Sequence, residues 1–421
     1  MKNFIKTMVG TTAMVAMAGT AQGQDMFIET GFDSEKTGMP VNLDGQIRSR
    51  TVSLNTDVVS DMFNRFAPAE SMQLSLFPGR TITMQQTGFD PFLGEKSKLW
   101  SGTIDGFENG FATMIFQEGR LLGHVQYGGE VYRITPGMNG VHTISEVSVA
   151  DLPDESEPFT IPASALTANS QKGGVTTAAF PTRIRVLVMY TPTAGTEATT
   201  AGTTIRDEGL LALGMANTAL TNSKMGVYKY KWAGIRGVYC GYPAQTSTST
   251  VLSDISEVPA GNACASSRAA TLRDTFSADM VAVLKGAGGC GTAWYLPAGA
   301  PESYAYSVTA RACIFQHTFT HELGHNMGLQ HDRFATGDLG TEQSAYNYGL
   351  FHDNLGASSF RTIMAYSSGC SVTCGRVPVF TNTHPGGKWM GTTTGRGLHQ
   401  TDPAVNRKKL KDNWELVAAF R

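Results

Sequence analysis

The 421-residue chain lacks three features that would each indicate a particular class of protein. It has no dense basic block, and its 33 lysines and arginines nearly balance its 35 aspartates and glutamates. A nucleic-acid-binding surface or a polybasic membrane patch is therefore not expected. Beyond the N-terminus, no apolar run approaches the roughly 20 residues that cross a bilayer. Cysteine does not occur before Cys240, which excludes disulfides from the N-terminal half.

The first 23 residues have the pattern of a secretory signal peptide. Lys2 and Lys6 precede an uncharged, largely apolar run, and the small residues Ala21 and Gly23 follow it. The run is too short for a membrane anchor. We therefore expect residues 1–23 to be removed and the mature protein to be secreted, either to the periplasm or out of the cell, without a membrane attachment.

The six cysteines of the second half are expected to form disulfides, because their number is even and the protein is exported. Pairing in sequence order is our prediction. It joins Cys240 to Cys264, Cys290 to Cys313, and Cys370 to Cys374. A zinc site built from thiolates is the weaker alternative, because the paired C-x-x-C spacing of such sites is missing.

The N-terminal half predicts an antiparallel β-meander. Apolar and polar residues alternate between turn signals spaced about ten residues apart, which are Asn109-Gly110, Glu118-Gly119, Gly128-Gly129 and Asn139-Gly140. No cluster of catalytic groups is evident in this half. The segment that follows, at about 155–179, is rich in Pro, Ser, Thr, Ala and Gly. It indicates an exposed, protease-sensitive linker and a domain boundary near residue 180.

From residue 183 onward, buried-strand runs alternate with helical periodicity. Strands are predicted at 183–191, 227–240, 278–286 and 290–297, and helices at 203–226, 266–276 and the C-terminus. This order predicts an α/β layered domain with a largely parallel sheet.

Residues 320–332, THELGHNMGLQHD, place three of the chain's nine histidines beside a glutamate and two glycines. On a helix, His321 and His325 project from one face, so both imidazoles can reach one ion. The Glu322 carboxylate is displaced around the helix, where it can reach a water on the metal as a base. His331 supplies a third ligand if the chain bends back, and Gly328 permits that bend because glycine accepts positive φ. We predict one catalytic Zn2+ held by the three histidines.

Neighbouring residues offer alternatives. His317 would share the face of His321, but we interpret it as a histidine that supports the ligands or faces solvent. Glu342 is an alternative third ligand, in a segment with the composition of a loop. Met364 would form an apolar floor beneath the histidines if "TIMAY" is a tight turn, although a buried Met with a packed Tyr is the default interpretation of so short a run.

The pattern H-E-x-x-H-x-x-G-x-x-H at 321–331, together with TIMAY, resembles the signature of the metzincin zinc endopeptidases. With Asp332 after the third histidine, the run is most similar to the reprolysin (adamalysin) branch and to reprolysin-like bacterial secreted peptidases. The resemblance implies three histidine zinc ligands, Glu322 as general base and acid, Met364 as the Met-turn residue, and a structural Asp332. Tyr366 departs from that branch, because it stands two residues after the methionine as in astacins and serralysins. There this tyrosine is an additional zinc ligand that stabilises the transition state, and whether Tyr366 does so stays open.

The resemblance also implies a domain organisation. A signal peptide (1–23) and a mainly antiparallel β propeptide domain (24–179, with the linker) would precede a metzincin-like α/β (α+β) catalytic domain (180–421) with a mixed, mostly parallel sheet and an active-site helix. The strand at 290–297 would be the antiparallel edge strand, along which an extended peptide substrate adds as one more strand. Latency through a propeptide cysteine is excluded, whereas a carboxylate on the zinc and steric cover both stay open.

Together these features predict a secreted zinc endopeptidase, made as a zymogen, activated by another protease and acting as a monomer on proteins or peptides. The sequence does not decide whether structural calcium is bound. A narrower alternative is a peptidyl-Asp metalloendopeptidase, a bacterial family with a similar motif, in which a basic residue such as Arg376 would select acidic side chains. An alternative from another class is a non-catalytic secreted binding or adhesion protein with a structural zinc, against which the presence of Glu322 argues.

Overall fold

The computed structural model describes residues 24–29, 46–94, 96–137, 140–148, 152, 154–167, 182–243, 246–257, 261–339, 346–353, 356–372 and 374–421. The predicted signal peptide and Glu342 lie outside these residues. Within the described ranges, no helix is both long enough and apolar enough to cross a bilayer.

The N-terminal half forms a nine-stranded sheet in the order β1-β2-β9-β8-β7-β6-β5-β4-β3, with every neighbouring pair antiparallel. Its strands are β1 (Phe27–Glu29), β2 (Gln46–Leu54), β3 (Ser71–Phe77), β4 (Arg80–Gly94), β5 (Ser97–Ile104), β6 (Phe107–Gln117), β7 (Arg120–Tyr127), β8 (Glu130–Pro136) and β9 (Val141–Val147). Helix α1 (Thr56–Met62) follows β2 and is capped by the Asn55 side chain. The predicted antiparallel strands are present, and an isolated bridge from Asp25 to Gln73 links the two ends of the sheet.

Tight turns connect these strands at two of the predicted positions. Gly119 has a φ of 81°, and Gly128 and Gly129 have φ values of 58° and 84°, which glycine adopts without steric cost. The predicted turn at Asn109-Gly110 is wrong, because both residues lie inside β6. The register shifts there from the pair Ile104–Phe107 to the pair Thr103–Phe111. The Asn-Gly pair is therefore accommodated in a bulge, and residues 105–106 make the turn.

The nine-stranded sheet buries both of its faces. Met114 of β6 packs with α1 in one core, whereas its neighbour Ile115 belongs to the core of the C-terminal half. Successive side chains of a strand point to opposite faces, which explains this division. Polar contacts reinforce the junction between the halves, including a hydrogen bond of 2.9 Å from Arg206 Nη1 to Gln117 Oε1. The two halves therefore share one packed interface.

The C-terminal half alternates helices with strands. Its first elements are β10 (Phe159–Thr160), α2 (Ala163–Thr167), β11 (Arg183–Tyr190), α3 (Pro192–Thr200), α4 (Ile205–Asn222), β12 (Lys229–Gly237), α5 (Thr248–Ile255), α6 (Ala263–Thr275), β13 (Met280–Lys285), β14 (Gly291–Tyr295), β15 (Tyr306–Ala310) and α7 (Thr318–Asn326). Short elements follow: β16 (Gln330–Asp332), α8 (Arg333–Thr336), β17 (Tyr348–Gly349), β18 (Phe351–His352), β19 (Phe360–Arg361), β20 (Gly375–Arg376), β21 (Lys388–Trp389), β22 (Thr392–Thr393) and α9 (Asn406–Val417).

A mixed six-stranded sheet, in the order β10-β14-β15-β13-β11-β12, forms the centre of this half. The pairings β10–β14, β15–β13, β13–β11 and β11–β12 are parallel, and β14–β15 is antiparallel. The side chains of Thr191, Thr204, Ser247 and Asn262 cap the helices that follow them, as short polar residues do at helix N-termini. The strand and helix runs identified in the sequence correspond to these elements, and the mixed α/β class is confirmed.

The disulfides follow sequence order. Cys240 is bonded to Cys264, Cys290 to Cys313, and Cys370 to Cys374, and the described residues contain no free cysteine. The predicted pairing is confirmed. The Cys290–Cys313 bond joins the residue before β14 to the turn of 3-10 helix at 311–316 that leads into α7.

The interpretation of residues 155–179 as an exposed linker is wrong for its first part. Glu155 is 5 % exposed and Ile161 is 3 % exposed, and β10 pairs with β14. Composition suggested a linker because Pro and Ser are frequent here. The segment is nevertheless ordered by contacts with the C-terminal half, which local composition does not reveal. Residues 168–181 lie outside the described ranges.

Candidate active site

Helix α7 and the chain that follows it carry the histidine motif. The helix begins after His317, whose φ of 66° turns the chain in from the preceding 3-10 helix, and it ends at Asn326. Gly328 has a φ of 78°, and a Cβ at this position would lie 2.5 Å from Asn413 Nδ2 and 2.7 Å from the Leu296 carbonyl oxygen. The positive φ and the lack of space for a Cβ both require glycine at this position. The chain then reverses into β16, which carries His331.

The structure brings His321, His325 and His331 together. Their Nε2 atoms are 3.0 to 3.1 Å apart, and each residue is fully buried. His321 Nδ1 lies 2.9 Å from the Ile363 carbonyl oxygen and His325 Nδ1 lies 2.8 Å from the Leu329 carbonyl oxygen.

This arrangement fits a bound metal ion. Since their Nδ1 atoms face carbonyl oxygens, His321 and His325 carry their protons there and present Nε2 lone pairs to the common point. Such lone pairs repel one another unless a cation lies between them. Burial lowers the pKa of His321 to about 3 and lowers the pKa of His325 well below its usual value. Both imidazoles are therefore neutral, which is the form that binds metal.

Glu322 lies beside the triad with a buried carboxylate. It is 0 % exposed, and among the described residues neither carboxylate oxygen has a hydrogen-bond partner. A Cβ on Gly291 of β14 would overlap Glu322 Oε1, so the glycine makes room for the carboxylate. Burial, followed by the charge of Glu155, raises the pKa of Glu322 well above its usual value. Perturbation of this kind, next to a metal site, is typical of a proton-transferring group.

Met364 and Asp332 organise the chain beneath the histidines. Met364 is fully buried, and its Sδ would lie 2.5 Å from a Cβ placed on Gly324 of α7. It belongs to a tight turn in which Ala365 N donates to the Thr362 carbonyl. Asp332 Oδ1 accepts from Ala335 N and its Oδ2 accepts from Tyr366 N, at 3.0 and 2.9 Å. Asp332 therefore links the segment after the third histidine to this turn.

Tyr366 lies against the triad. Its ring centroid is 4.0 Å from that of His331, and its hydroxyl donates a 2.7 Å hydrogen bond to the Glu155 carbonyl oxygen. Burial and the nearby Glu155 carboxylate raise the pKa of Tyr366, so the hydroxyl keeps its proton. In this structure the hydroxyl is bonded to a backbone oxygen of the N-terminal half.

Comparison with known proteins agrees with this geometry. The sequence model of metallopeptidase family M12 (Reprolysin_5) matches residues 204–374, which include the whole motif and the turn with Met364. Over these residues the chain is similar to metallopeptidase family M12. It is 27 % identical over 395 residues to a peptidyl-Asp metalloendopeptidase of Xanthomonas campestris pv. campestris, covering 89 % of this chain and 88 % of that protein. It is 26 % identical over 340 residues to a protein of the same name from Stenotrophomonas maltophilia (strain K279a), covering 79 % of this chain and 76 % of the relative.

A segment of the peptidase's own N-terminal half lies between strand β14 and Tyr366, in the space beside the triad that we call the cleft. Phe159 and Thr160 pair in parallel with Trp294 and Tyr295, and Ser156 N donates a 2.9 Å hydrogen bond to the Gly291 carbonyl. Strand β14 pairs antiparallel with β15, as expected for the strand at 290–297. In this chain β10 lies along its other edge, where a substrate was expected to add. We call residues 154–160 the cover segment.

Two acidic residues of the cover segment approach the site. Glu157 Oε2 lies 3.3 Å from His331 Nδ1. Glu155 forms a buried ion pair with Arg376 and also accepts a 2.6 Å hydrogen bond from Thr318 Oγ1. Burial alone would raise the pKa of the Glu155 carboxyl, but Arg376, then His321, hold it well below its usual range. Sequence reasoning missed both glutamates, although the acidic run at 154–157 was a visible signal inside the supposed linker.

His317 is not a member of the triad, and its solvent-facing interpretation is wrong. It is 0 % exposed, and its ring contacts Phe111 and His124 of the N-terminal sheet at centroid distances of 5.3 and 5.5 Å. Its backbone oxygen accepts from His321 N at 3.0 Å. The residue therefore packs at the junction of the two halves instead of pointing at the histidines.

Proposed function

We propose that this peptidase is a secreted zinc endopeptidase made as a zymogen, with a metzincin-like catalytic domain at about 180–421. The observation that supports zinc and peptide-bond hydrolysis best is the convergence of three buried Nε2 atoms beside a buried carboxylate that has no hydrogen-bond partner among the described residues. A site of three histidines suits zinc and leaves a fourth position for water or substrate. His321, His325 and His331 would hold the ion.

Zinc bound there would supply Lewis acidity, which acidifies water and polarises a peptide carbonyl. Glu322 then acts as the base that accepts the proton of the attacking water at a carboxylate oxygen. The same carboxyl donates this proton to the departing amine. Burial of Glu322 supports both roles. It raises the pKa of the carboxyl, so that the group that accepts a proton from water can also hold it until it is donated to the amine.

Tyr366 is proposed to assist by donating a hydrogen bond. Its hydroxyl is protonated and already bonds to a peptide carbonyl, that of Glu155. Once the cover segment leaves, the same hydroxyl would be free to stabilise negative charge on the oxygen of a substrate.

The N-terminal half, at about 24–179, is proposed to be a propeptide that blocks the cleft by steric cover. The pairing of β10 with β14 supports this, since an extended substrate would need the same strand edge. Another protease would cut within 168–181, ahead of β11. The N-terminal signal at 1–23 would direct the chain to the periplasm or out of the cell, and the processed enzyme would act as a monomer.

Selectivity for aspartate is the narrower proposal. Relatives covering most of this chain are named peptidyl-Asp metalloendopeptidases, and Arg376 supplies a buried cation in the cleft.

The test combines metal content, N-terminal sequencing and hydrolysis on protein activated by limited proteolysis. About one zinc per chain, a new N-terminus in 168–182, and casein cleavage that stops with a chelator and returns with zinc would support the proposal. An activated form that holds no transition metal and cleaves no polypeptide would overturn it.

A further inference from the structure

Arg376 and Glu155 form a buried ion pair between the two halves of the chain. Their side chains are 2 % and 0 % exposed. Both terminal nitrogens of Arg376 donate to the carboxylate, with Nη2 to Oε2 at 2.8 Å. This forked geometry is the one by which arginine recognises carboxylates. The residues are 221 positions apart in the sequence.

The guanidinium of Arg376 is held in place independently of Glu155. Nη1 donates to the Gln316 carbonyl at 3.0 Å and Nη2 donates to the Ala365 carbonyl at 3.3 Å. Gln316 precedes the active-site helix and Ala365 follows the methionine of the tight turn. The Arg376 guanidinium is therefore expected to keep its position between these two segments when the N-terminal half leaves.

A second arginine, Arg361, adds positive charge next to the Arg376 guanidinium. Arg361 lies opposite Arg376 in the register of β19 and β20, is 7 % exposed, and also donates to the Ala365 carbonyl, at 2.7 Å. Two buried guanidinium groups next to one another are costly unless an anion lies close by. In the uncleaved chain Glu155 provides the anion for Arg376.

The backbone of Glu155 lies where a substrate residue would lie. Its carbonyl accepts from the Tyr366 hydroxyl at 2.7 Å, and the next residue, Ser156, donates to β14 at Gly291. The peptide unit between Glu155 and Ser156 therefore contacts both Tyr366 and β14, while the Glu155 side chain contacts Arg376.

We propose that Arg376 is the residue that selects an acidic substrate side chain next to the scissile bond, and that Glu155 takes the place of that side chain in the uncleaved chain. The inference rests on the proposed function. Latency and specificity then share one residue: removal of the cover segment leaves Arg376 without its carboxylate, and an Asp or Glu of the substrate supplies a new one.

The specificity test uses processed enzyme and peptide pairs that differ only by Asp or Asn at each position flanking the cleaved bond. Wild-type enzyme is expected to favour Asp at one position by roughly 100-fold in kcat/KM, as a buried charge pair implies. Arg376→Gln should reduce this ratio to near one, with the loss of kcat/KM larger for the Asp peptide than for the Asn peptide. A ratio that survives in Arg376→Gln overturns the inference.

A second test does not depend on folding of that variant. Synthetic peptides of residues 152–160 are added to processed wild-type enzyme as inhibitors. The peptide with the substitution Glu155→Gln is expected to bind roughly 30-fold more weakly. The matched peptide with Glu157→Gln should lose only a few-fold in affinity, because the Glu157 side chain lies 3.3 Å from His331 Nδ1 but is 68 % exposed. Equal losses for both peptides contradict the inference.

The two proposals fail in different ways. If processed wild-type enzyme cleaves no peptide of the set, the proposed function fails. If it cleaves peptides without regard to Asp or Asn, or if the peptide with Glu155→Gln inhibits as well as the wild-type peptide, the peptidase stands and the inference about Arg376 and Glu155 is wrong.

Discussion

Two groups of side chains meet in the cleft, and they are encoded in opposite ways. The proposed catalytic group, His321, Glu322, His325 and His331, comes from eleven consecutive residues. The closing group, Glu155 and Arg376, joins residues 221 positions apart. A helix and one glycine assemble the first group locally, whereas the second exists only when the two halves are folded together. Under the proposed function, the chemistry would persist after cleavage, whereas closure of the site would depend on the N-terminal half.

The sharpest way to separate the two groups is Glu322→Gln. The variant keeps the size of the side chain and the three histidines but removes the base. We expect kcat to fall about 1,000-fold or more, in line with the loss of general acid–base catalysis, with zinc content unchanged. Stopped assays on processed protein and metal analysis measure the two quantities. An active variant would show that another group moves the proton.

Histidines inside and outside the triad provide the next comparison. His331→Asn is expected to lose most of its zinc against a competing chelator, because a third ligand is removed. His317→Asn is the matched control, and asparagine tolerates the positive φ of this position. The control should keep its zinc, since the His317 ring packs on Phe111 and His124. Comparable metal loss in both variants would contradict the assignment of His331 as a ligand.

The smallest expected effect concerns the bend at Gly328, which brings His331 back toward the other two histidines. Gly328→Ala and Gly337→Ala both place a methyl group on a residue with positive φ, at 78° and 76°. A Cβ at Gly328 would also lie only 2.5 and 2.7 Å from neighbouring atoms. At Gly337, no atom of the described residues lies within 4 Å of the added Cβ. We expect about 1 kcal/mol of destabilisation at Gly337 and about 2 to 4 kcal/mol at Gly328. Denaturant unfolding of the full chain measures both, and equal values would remove the steric argument.

Sequence reasoning succeeded where the structure depends on near neighbours. The strands β11 to β14 and the helices α4, α6 and α9 of the C-terminal half, the meander of the N-terminal half and the disulfide pairing were predicted, because periodicity and order along the chain carry that information. The helices α3 and α5 and the strand β15 were not predicted. Sequence reasoning failed at Asn109-Gly110, where the register of β6 overrides a local turn preference. It also failed at 155–161, where a composition typical of a linker belongs to a segment that distant contacts anchor through the buried residues Glu155 and Ile161.

The metal-binding constellation follows from eleven residues read in order: the helical repeat places His321 over His325, and a glycine that accepts positive φ lets the chain return with His331. Long-range packing, in contrast, puts β10 on the edge of β14, the Tyr366 hydroxyl on the Glu155 carbonyl, and Arg376 on the Glu155 carboxylate. Spacing along a helix is set by backbone geometry, which any short run of residues reveals. The partner of a buried charge is set by how two distant surfaces pack, and no local pattern specifies that.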